Sequence, residues 1–142
     1  MPEPGPDREI LRRKIQFVRD SVRRLESIRG EGEAAVLASH VLQAAAVRNL
    51  QVAIEAILDA ANHIIAHEQL GLPSTYVEAL ELLLQHGILP SEKKTDLVDM
   101  IRFRNRAVHL YDEILPADIW TILETRLGDF DVVVEALAAR YF

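Results

Sequence analysis

The sequence predicts an all-α protein, an up-and-down bundle of about five helices. Apolar residues recur at spacings of three and four along most of the chain, which is the period of one face of an α-helix. No stretch of useful length alternates with period two, so strands are not indicated. The length of 142 residues is typical of one domain. We expect residues 1–6 to be a flexible N-terminal tail and residues 7–142 to form a single helical domain.

The first two predicted helices differ in length. The first is expected to begin at Asp7 and to end near Gly30, because glycine favours the left-handed turn that follows many helices. Residues 33–68 contain no glycine or proline and predict the longest helix, with a bend or break near Ser39. Its apolar seam advances in steps of three and four and consists of Val47, Leu50, Ile54, Ile57, Ala61 and Ile64.

Three further helices are predicted from their start signals. Ser74 is a suitable N-cap for the third helix and Ser91 for the fourth, which should run to about Tyr111. Pro116 suits the first turn of the last helix, since its missing N–H would have no partner there. Gly128 lies inside this last helix and indicates a bend.

Composition narrows the function classes. The chain has no cysteine, which excludes disulfides and thiolate metal sites. Its net charge of −6 argues against a protein that coats nucleic acid through bulk electrostatics, although a local basic site is compatible with it. No signal peptide is recognisable, and no apolar run approaches the roughly 20 residues that span a bilayer. We therefore expect a cytoplasmic protein with no membrane partner.

One stretch, residues 102–111, concentrates positive charge. It contains three arginines, an asparagine, a histidine and a tyrosine, and no acidic residue. On a helix, Arg102, Arg106 and His109 share a face, whereas Arg104 and His109 lie about 140° apart. Arg104 and His109 can act on one phosphate if the arginine wraps around the helix, if the helix distorts, or if two copies of the chain face each other. The last option predicts a homodimer with a composite site.

These residue types permit metal-independent cleavage of RNA. Histidine can exchange a proton near neutral pH, and arginine can bind a phosphate through two parallel hydrogen bonds. His109 would deprotonate a ribose 2′-hydroxyl, and Arg104 would stabilise the phosphate that this oxygen attacks. The structural alternative is a solvated basic helix end, in which the same cations oppose the negative end of the helix dipole.

A second group of polar residues lies on the long predicted helix. His63 and His67 are one turn apart and Asp59 is one turn earlier, a spacing that could chelate a metal. The glutamate of the common metalloprotease motif is missing, so we favour a polar patch in which Asp59 or Asn62 supports the motif helix. No glycine-rich phosphate loop is present, and we expect the chain to bind no cofactor and no ATP by itself.

The string Arg104-Asn105-x-x-x-His109-x-Tyr111 resembles the signature of HepT-type toxins, which belong to the HEPN superfamily of helical ribonuclease domains. The resemblance extends from about Asp7 to the end of the chain. The stretches that look typical of the family are residues 48–55, 59–65, 103–106 and 111–114.

The resemblance implies the toxin of a two-gene toxin–antitoxin system, a homodimer with both motif helices at the dimer cleft. It implies that Arg104 and His109 are catalytic. Asn105 belongs to the same motif as a supporting residue, and Arg102 and Arg106 are extra positive charges that could bind the RNA backbone. The antitoxin of such systems resembles a minimal nucleotidyltransferase, which uses ATP and can silence the toxin by transferring AMP to the motif tyrosine, here Tyr111. Two alternatives stay open: a non-catalytic partner and nucleotidylation substrate of that enzyme, or a plain helical assembly module.

Overall fold

The fold is an all-α bundle, as the sequence predicts. The structure is a computed structural model that describes residues 6–109 and 113–142. Residues 1–5 of the expected tail lie outside the described residues, as does Tyr111, where the fourth predicted helix was expected to end. The α-helices of the described part are α1 (Arg8–Gly30), α2 (Glu33–Ala38), α3 (His40–Glu68), α4 (Tyr76–Gln85), α5 (Lys94–His109), α6 (Pro116–Thr125) and α7 (Gly128–Tyr141).

The described residues contain seven α-helices instead of the five expected, because two of the predicted helices are each divided. Ser39 has an extended backbone, and its hydroxyl accepts a hydrogen bond of 3.1 Å from the N–H of Leu42. This cap ends α2 and begins α3 at the position where a break was expected. The last predicted helix divides at Arg126 and Leu127, just before Gly128.

Two predicted N-caps are wrong by a short distance. The cap of α4 is Thr75, whose hydroxyl accepts from the N–H of Glu78 at 3.1 Å. Ser74 instead donates from its N–H and its hydroxyl to the Glu78 carboxylate, at 2.7 Å each. Ser91 belongs to a single 3₁₀ turn without a side-chain cap, and α5 begins after it at Lys94. Several neighbouring residues can begin each of these helices. The sequence pattern alone therefore does not fix the first residue.

α3 is the central helix of the bundle and packs against α1, α4, α5 and α6. The predicted seam is buried throughout. Among the described residues, α3 is also long and apolar enough, by length and composition, to cross a membrane, which was not expected from the sequence. Half of its apolar stretch is buried within the bundle, and such a helix is typical of a protein core.

α5 divides its side chains between two sides of the bundle. Phe103 and Ala107 are buried against the core. Arg104 points to the side formed by α3 and α4, where it meets Glu55. Arg102 instead lines a cavity of about 250 Å³ that also borders α6 and α7. The positive residues of the motif therefore serve two separate surfaces.

Candidate functional site

Arg104 is held between three elements of the bundle. Its Nε donates to Glu55 Oε1 of α3 at 3.4 Å, and its Nη1 donates to Asn105 Oδ1 at 3.3 Å. Its guanidinium carbon lies 5.2 Å from the centre of the Tyr76 ring, at the start of α4. The side chain is 19% exposed, so these contacts hold most of it while part of the guanidinium still reaches solvent.

Glu55 and Tyr76 are site residues that the sequence did not single out. Glu55 is held in turn by Gln51, whose Nε2 donates to Glu55 Oε1 at 3.0 Å. A charged hydrogen bond and a cation–π contact together fix the direction of a guanidinium. Glu55 lies one turn before Asp59 on α3, and this spacing of two carboxylates was a usable signal. Tyr76 has no such signal, because it reaches Arg104 only through the packing of α4.

Asn62 of α3 and Asn105 of α5 line the same pocket. Its volume is about 310 Å³, and its remaining lining is Pro73, Ser74, Thr75, Tyr76, Val77 and Ile101. Of these two predicted supporting residues, Asn105 contacts Arg104 directly, whereas Asn62 shares the pocket with Asn105 and Tyr76.

Asp59 does not join this arrangement. Its Oδ2 accepts from Lys14 Nζ at 3.2 Å, which turns the carboxylate toward α1. The carboxylate that contacts Arg104 is that of Glu55, one turn earlier on α3, and not that of Asp59. Successive turns of α3 thus face different neighbours, because 3.6 residues per turn rotate the contact direction along the helix.

His63 also faces α1 rather than the motif helix. Its Nε2 accepts a hydrogen bond of 2.8 Å from the backbone N–H of Asp7, the residue that caps α1. Its ring centre is 4.2 Å from that of His67. Burial and the charge of His67 lower the pKa of His63 below its ordinary value, which favours the neutral, accepting ring. In the part of the chain that the structure describes, no three His, Asp or Glu side chains are grouped as a metal-ligand set.

Arg102 and Arg106 lie on the opposite side of α5. Arg102 is 74% exposed on its side chain and approaches Asp99 at 3.9 Å. Arg106 donates to the backbone carbonyl of Glu113 at 3.2 Å and lies 3.9 Å from Asp118 of α6. Both remain cationic groups at the surface next to the motif, but they do not converge with Arg104 on one point.

His109 is the last residue of α5 and is exposed. Arg104, by contrast, is turned toward α3 and α4, in keeping with the wide angle between these positions on one helix. No contact joins the two side chains within the described residues. The predicted modification residue, Tyr111, lies outside the residues that the structure describes.

The arrangement can bind an oxyanion beside a small polar pocket. Arg104 uses Nε and Nη1 for Glu55 and Asn105, and no protein acceptor for Nη2 is recorded among the described residues. A guanidinium oriented in this way can donate its remaining N–H groups to a phosphate. The exposed imidazole of His109 lies at the C-terminal end of the same helix.

Comparison with known proteins assigns the chain to a family. The family model described as HepT-like, "Ribonuclease HepT-like", matches residues 18–137. The mRNA nuclease HepT of Shewanella oneidensis is 29% identical over 132 residues, which cover 93% of this chain and 98% of that protein. The tRNA nuclease HepT of Aphanizomenon flos-aquae is 29% identical over 101 residues, covering 71% of this chain and 69% of that protein.

Solved structures give the same result. A toxin–antitoxin complex with AMP-PNP contains a chain that is 28% identical and superposes with a TM-score of 0.86, covering 92% of this chain and 98% of that one. The tri-AMPylated HEPN toxin of Shewanella oneidensis, solved in complex with its MNT antitoxin, is 29% identical with a TM-score of 0.85, covering 92% and 97%. YutE of Bacillus subtilis, at 15% identity and a TM-score of 0.80 over 97% and 92% of the two chains, shares the fold. The chain with the Arg104–His109 motif on its fifth helix belongs to the HepT-like ribonuclease family.

Proposed function

We propose that this protein is the RNA-cleaving toxin of a toxin–antitoxin pair, acting in the cytoplasm without a metal ion. The observation that carries the proposal is the held guanidinium of Arg104, with Glu55 at its Nε and Tyr76 against its face. Its neighbour in the motif, His109, is exposed at the end of the same helix. The names of the relatives from Shewanella oneidensis and Aphanizomenon flos-aquae, an mRNA and a tRNA nuclease, support RNA as the substrate.

In this mechanism Arg104 binds the phosphate to be cleaved and stabilises the charge that develops on it. Glu55 acts as a positioning residue, since it touches the guanidinium and not the RNA. The exposed cations Arg102 and Arg106 bind the RNA backbone farther along, where each neutralised phosphate adds affinity that falls with salt.

His109 is the general base. Its neutral imidazole takes the proton of a ribose 2′-hydroxyl, and the oxygen forms a bond to its own phosphorus atom. The bond from phosphorus to the 5′-oxygen breaks, and this oxygen takes up a proton from the His109 imidazolium or from water. The products are a 2′,3′-cyclic phosphate and a 5′-hydroxyl. DNA lacks the attacking hydroxyl and is therefore no substrate.

A cleavage assay tests this mechanism. The purified protein should cut RNA in the presence of EDTA, and His109→Ala should lower the rate by about 10²-fold or more, the usual effect of losing a general base. His40→Ala is the matched control, because His40 is an exposed histidine on α3 with no role in the site. Equal rates for His109→Ala and the wild type would refute the proposed role of His109, and a wild type that never cuts RNA would favour the non-catalytic alternative.

The two motif residues act across a homodimer in this proposal, because they point in different directions on one helix. Co-expression of Arg104→Ala with His109→Ala tests it. Half of the resulting dimers carry one copy of each variant, and one of their two sites then contains both native residues. The mixture should recover about a quarter of the native rate. If each site lies within one chain, the mixture stays as inactive as its components.

The partner is a minimal nucleotidyltransferase antitoxin that transfers AMP from ATP to Tyr111. The tri-AMPylated Shewanella oneidensis toxin, in complex with its MNT antitoxin, supports this assignment. Nucleotides placed two residues from His109 would bring bulk and negative charge to the groove that must receive an RNA phosphate. Mass spectrometry after incubation with the partner and ATP should show added AMP on the wild type and none on Tyr111→Phe; an unmodified wild type would count against this regulation.

A further inference from the structure

The pocket between α3, α4 and α5 is built beside the arginine of the proposed site. It has a volume of about 310 Å³, near the lower limit of the roughly 300–1,000 Å³ of small-molecule pockets. Asn62 approaches from α3, Asn105 from α5 and Tyr76 from the start of α4. A single flat ring system, such as one nucleobase, is a ligand of the size that a pocket of this volume holds.

Among the described residues, the side chains of this pocket that keep unused hydrogen-bonding groups are Asn62, Asn105 and Tyr76. The hydroxyls of Ser74 and Thr75 are already bonded to Glu78. The Oδ1 of Asn105 accepts from Arg104, while its Nδ2 and the whole carboxamide of Asn62 have no protein partner recorded among the described residues. A carboxamide offers a donor and an acceptor side by side, which matches the paired donor and acceptor atoms on the edge of a base.

Tyr76 connects the pocket to the phosphate-binding group. Tyr76 is one of the residues that line the pocket, and its ring centre lies 5.2 Å from the guanidinium carbon of Arg104. Bases of single-stranded RNA are commonly stacked on aromatic side chains and bonded along their edges in protein sites. A nucleotide whose phosphate meets Arg104 therefore has an aromatic surface and two amide groups within reach of its base.

We propose that this pocket is a subsite for one unpaired nucleobase of the RNA, next to the phosphate that Arg104 binds. The proposal rests on the proposed ribonuclease function and adds a source of sequence preference to it. Tyr76 provides the stacking surface, and Asn62 with Asn105 reads the edge of the base. The subsite selects where the RNA is cut, whereas Arg104 and His109 carry out the cut.

Mapping of cleavage sites tests the subsite. Total bacterial RNA is digested with the wild type and with variants, and the new ends are sequenced. The wild type should prefer one base at a fixed position beside the cut. Asn62→Ala should lower cutting at the preferred sites by about tenfold, as expected for the loss of a good amide–base contact, and should flatten the preference.

Two further variants separate stacking from hydrogen bonding. Asn62→Asp replaces the amide donor with an acceptor of the same shape, so it should change which base is preferred rather than abolish preference. Tyr76→Phe keeps the ring and should retain the native cutting pattern, while Tyr76→Ala should not. Gln16→Ala is the control, since Gln16 is an exposed amide residue on α1 and lies outside the pocket.

Each outcome bears on the proposal. If the wild type cuts RNA and Asn62→Ala cuts the same sites at the same rates, the subsite is refuted while the ribonuclease function stands. If the variants alter only the dimer, as seen by gel filtration, or only the binding of the antitoxin, the pocket serves a protein interface and the proposal is overturned. If the wild type cuts no RNA, the proposed function and the subsite fail together.

Discussion

Two arginines are held in different ways: Arg104 on one face of α5, and Arg126, which packs against the other face of that helix. Arg126, between α6 and α7, donates from Nε to Asp129 at 2.9 Å and from Nη2 to Asp96 and Asp99 at 3.4 and 3.3 Å. Arg104 meets a single carboxylate, that of Glu55, at 3.4 Å. Arg126 is 34% exposed and Arg104 is 19% exposed, so the more exposed arginine is the more completely neutralised one.

The difference separates a structural arginine from one that is available to a ligand. The hydrogen bond to Asp129 raises the pKa of Arg126 above its ordinary value, with further support from Asp99 and Asp96. These carboxylates leave little positive potential for an outside anion. Around Arg104 an aromatic ring and an amide take the place of two carboxylates, so the guanidinium is oriented while fewer negative charges oppose it. Low exposure therefore does not identify a structural residue here; the nature of the partners does.

The largest expected effect is a contrast in cleavage between Arg104→Lys and Arg126→Lys. Lysine keeps the charge but loses the planar fork that binds a phosphate at two points. We expect Arg104→Lys to lower the rate of RNA cleavage by about 10²-fold, the scale of removing one transition-state donor. Arg126→Lys should cut RNA at the native rate. Equal losses in both variants would remove the distinction between the two arginines.

Glu55 gives a smaller and more specific effect. Glu55→Ala removes the acceptor at Arg104 Nε, and we expect kcat to fall by about tenfold with little change in KM, the size of one charged hydrogen bond. Glu55→Gln retains an acceptor and should recover part of the loss, which a purely structural role would not require. Glu135→Ala, an exposed glutamate on α7, serves as the control. A loss confined to KM would place Glu55 in substrate binding instead.

Arg126→Ala should act on stability and not on cleavage. It leaves Asp96, Asp99 and Asp129 close together without their shared cation, although Lys93 still approaches two of them. Because the group is partly exposed, we expect a loss of only about 1 kcal/mol in the free energy of unfolding, measured by urea denaturation. The loss should shrink at high salt, which screens the remaining repulsion. A variant with native stability would show that the aspartate contacts contribute nothing.

The smallest expected effect is that of pH on stability, and it depends on His63. Because the pKa of His63 is lowered in the folded protein, the unfolded chain takes up a proton at this residue at a higher pH than the folded protein does. The stability contributed by neutral His63 is therefore present above about pH 6.5 and declines as the pH falls below it. Urea midpoints at about pH 7.5 and about pH 5.5 measure the decline. His63→Gln keeps an acceptor for the Asp7 N–H but has no group that titrates, so it should reduce the loss of stability at low pH. His40→Gln should leave that loss unchanged.

The period of the apolar residues was sufficient to predict the helices and the buried seam of α3. It did not decide the caps, because Ser74 and Thr75 are adjacent and either hydroxyl could serve. Packing made the choice, since Glu78 bonds to both residues at once. Gly128 indicated a bend in the last predicted helix. The structure shows a full division there, at Arg126 and Leu127.

The site was predictable only in part, for a physical reason. Arg104, Asn105 and His109 are close in sequence, and their residue types indicate the chemistry by themselves. Glu55 and Tyr76 are separated from Arg104 by 49 and 28 positions, and only the packing of α3 and α4 against α5 brings them to it. Asp59 was a reasonable candidate on the same helix, but one turn of rotation directs it to Lys14.

The break at Ser39 has a consequence for assembly. α2 packs against α6 of its own chain, and its Val36 is fully buried, only because the backbone changes direction at this one residue. A substitution that lets α2 and α3 run on as one helix would carry Val36 away from its own α6. α2 of another copy can fill the vacated place, so a substitution that removes the break at Ser39 favours domain swapping.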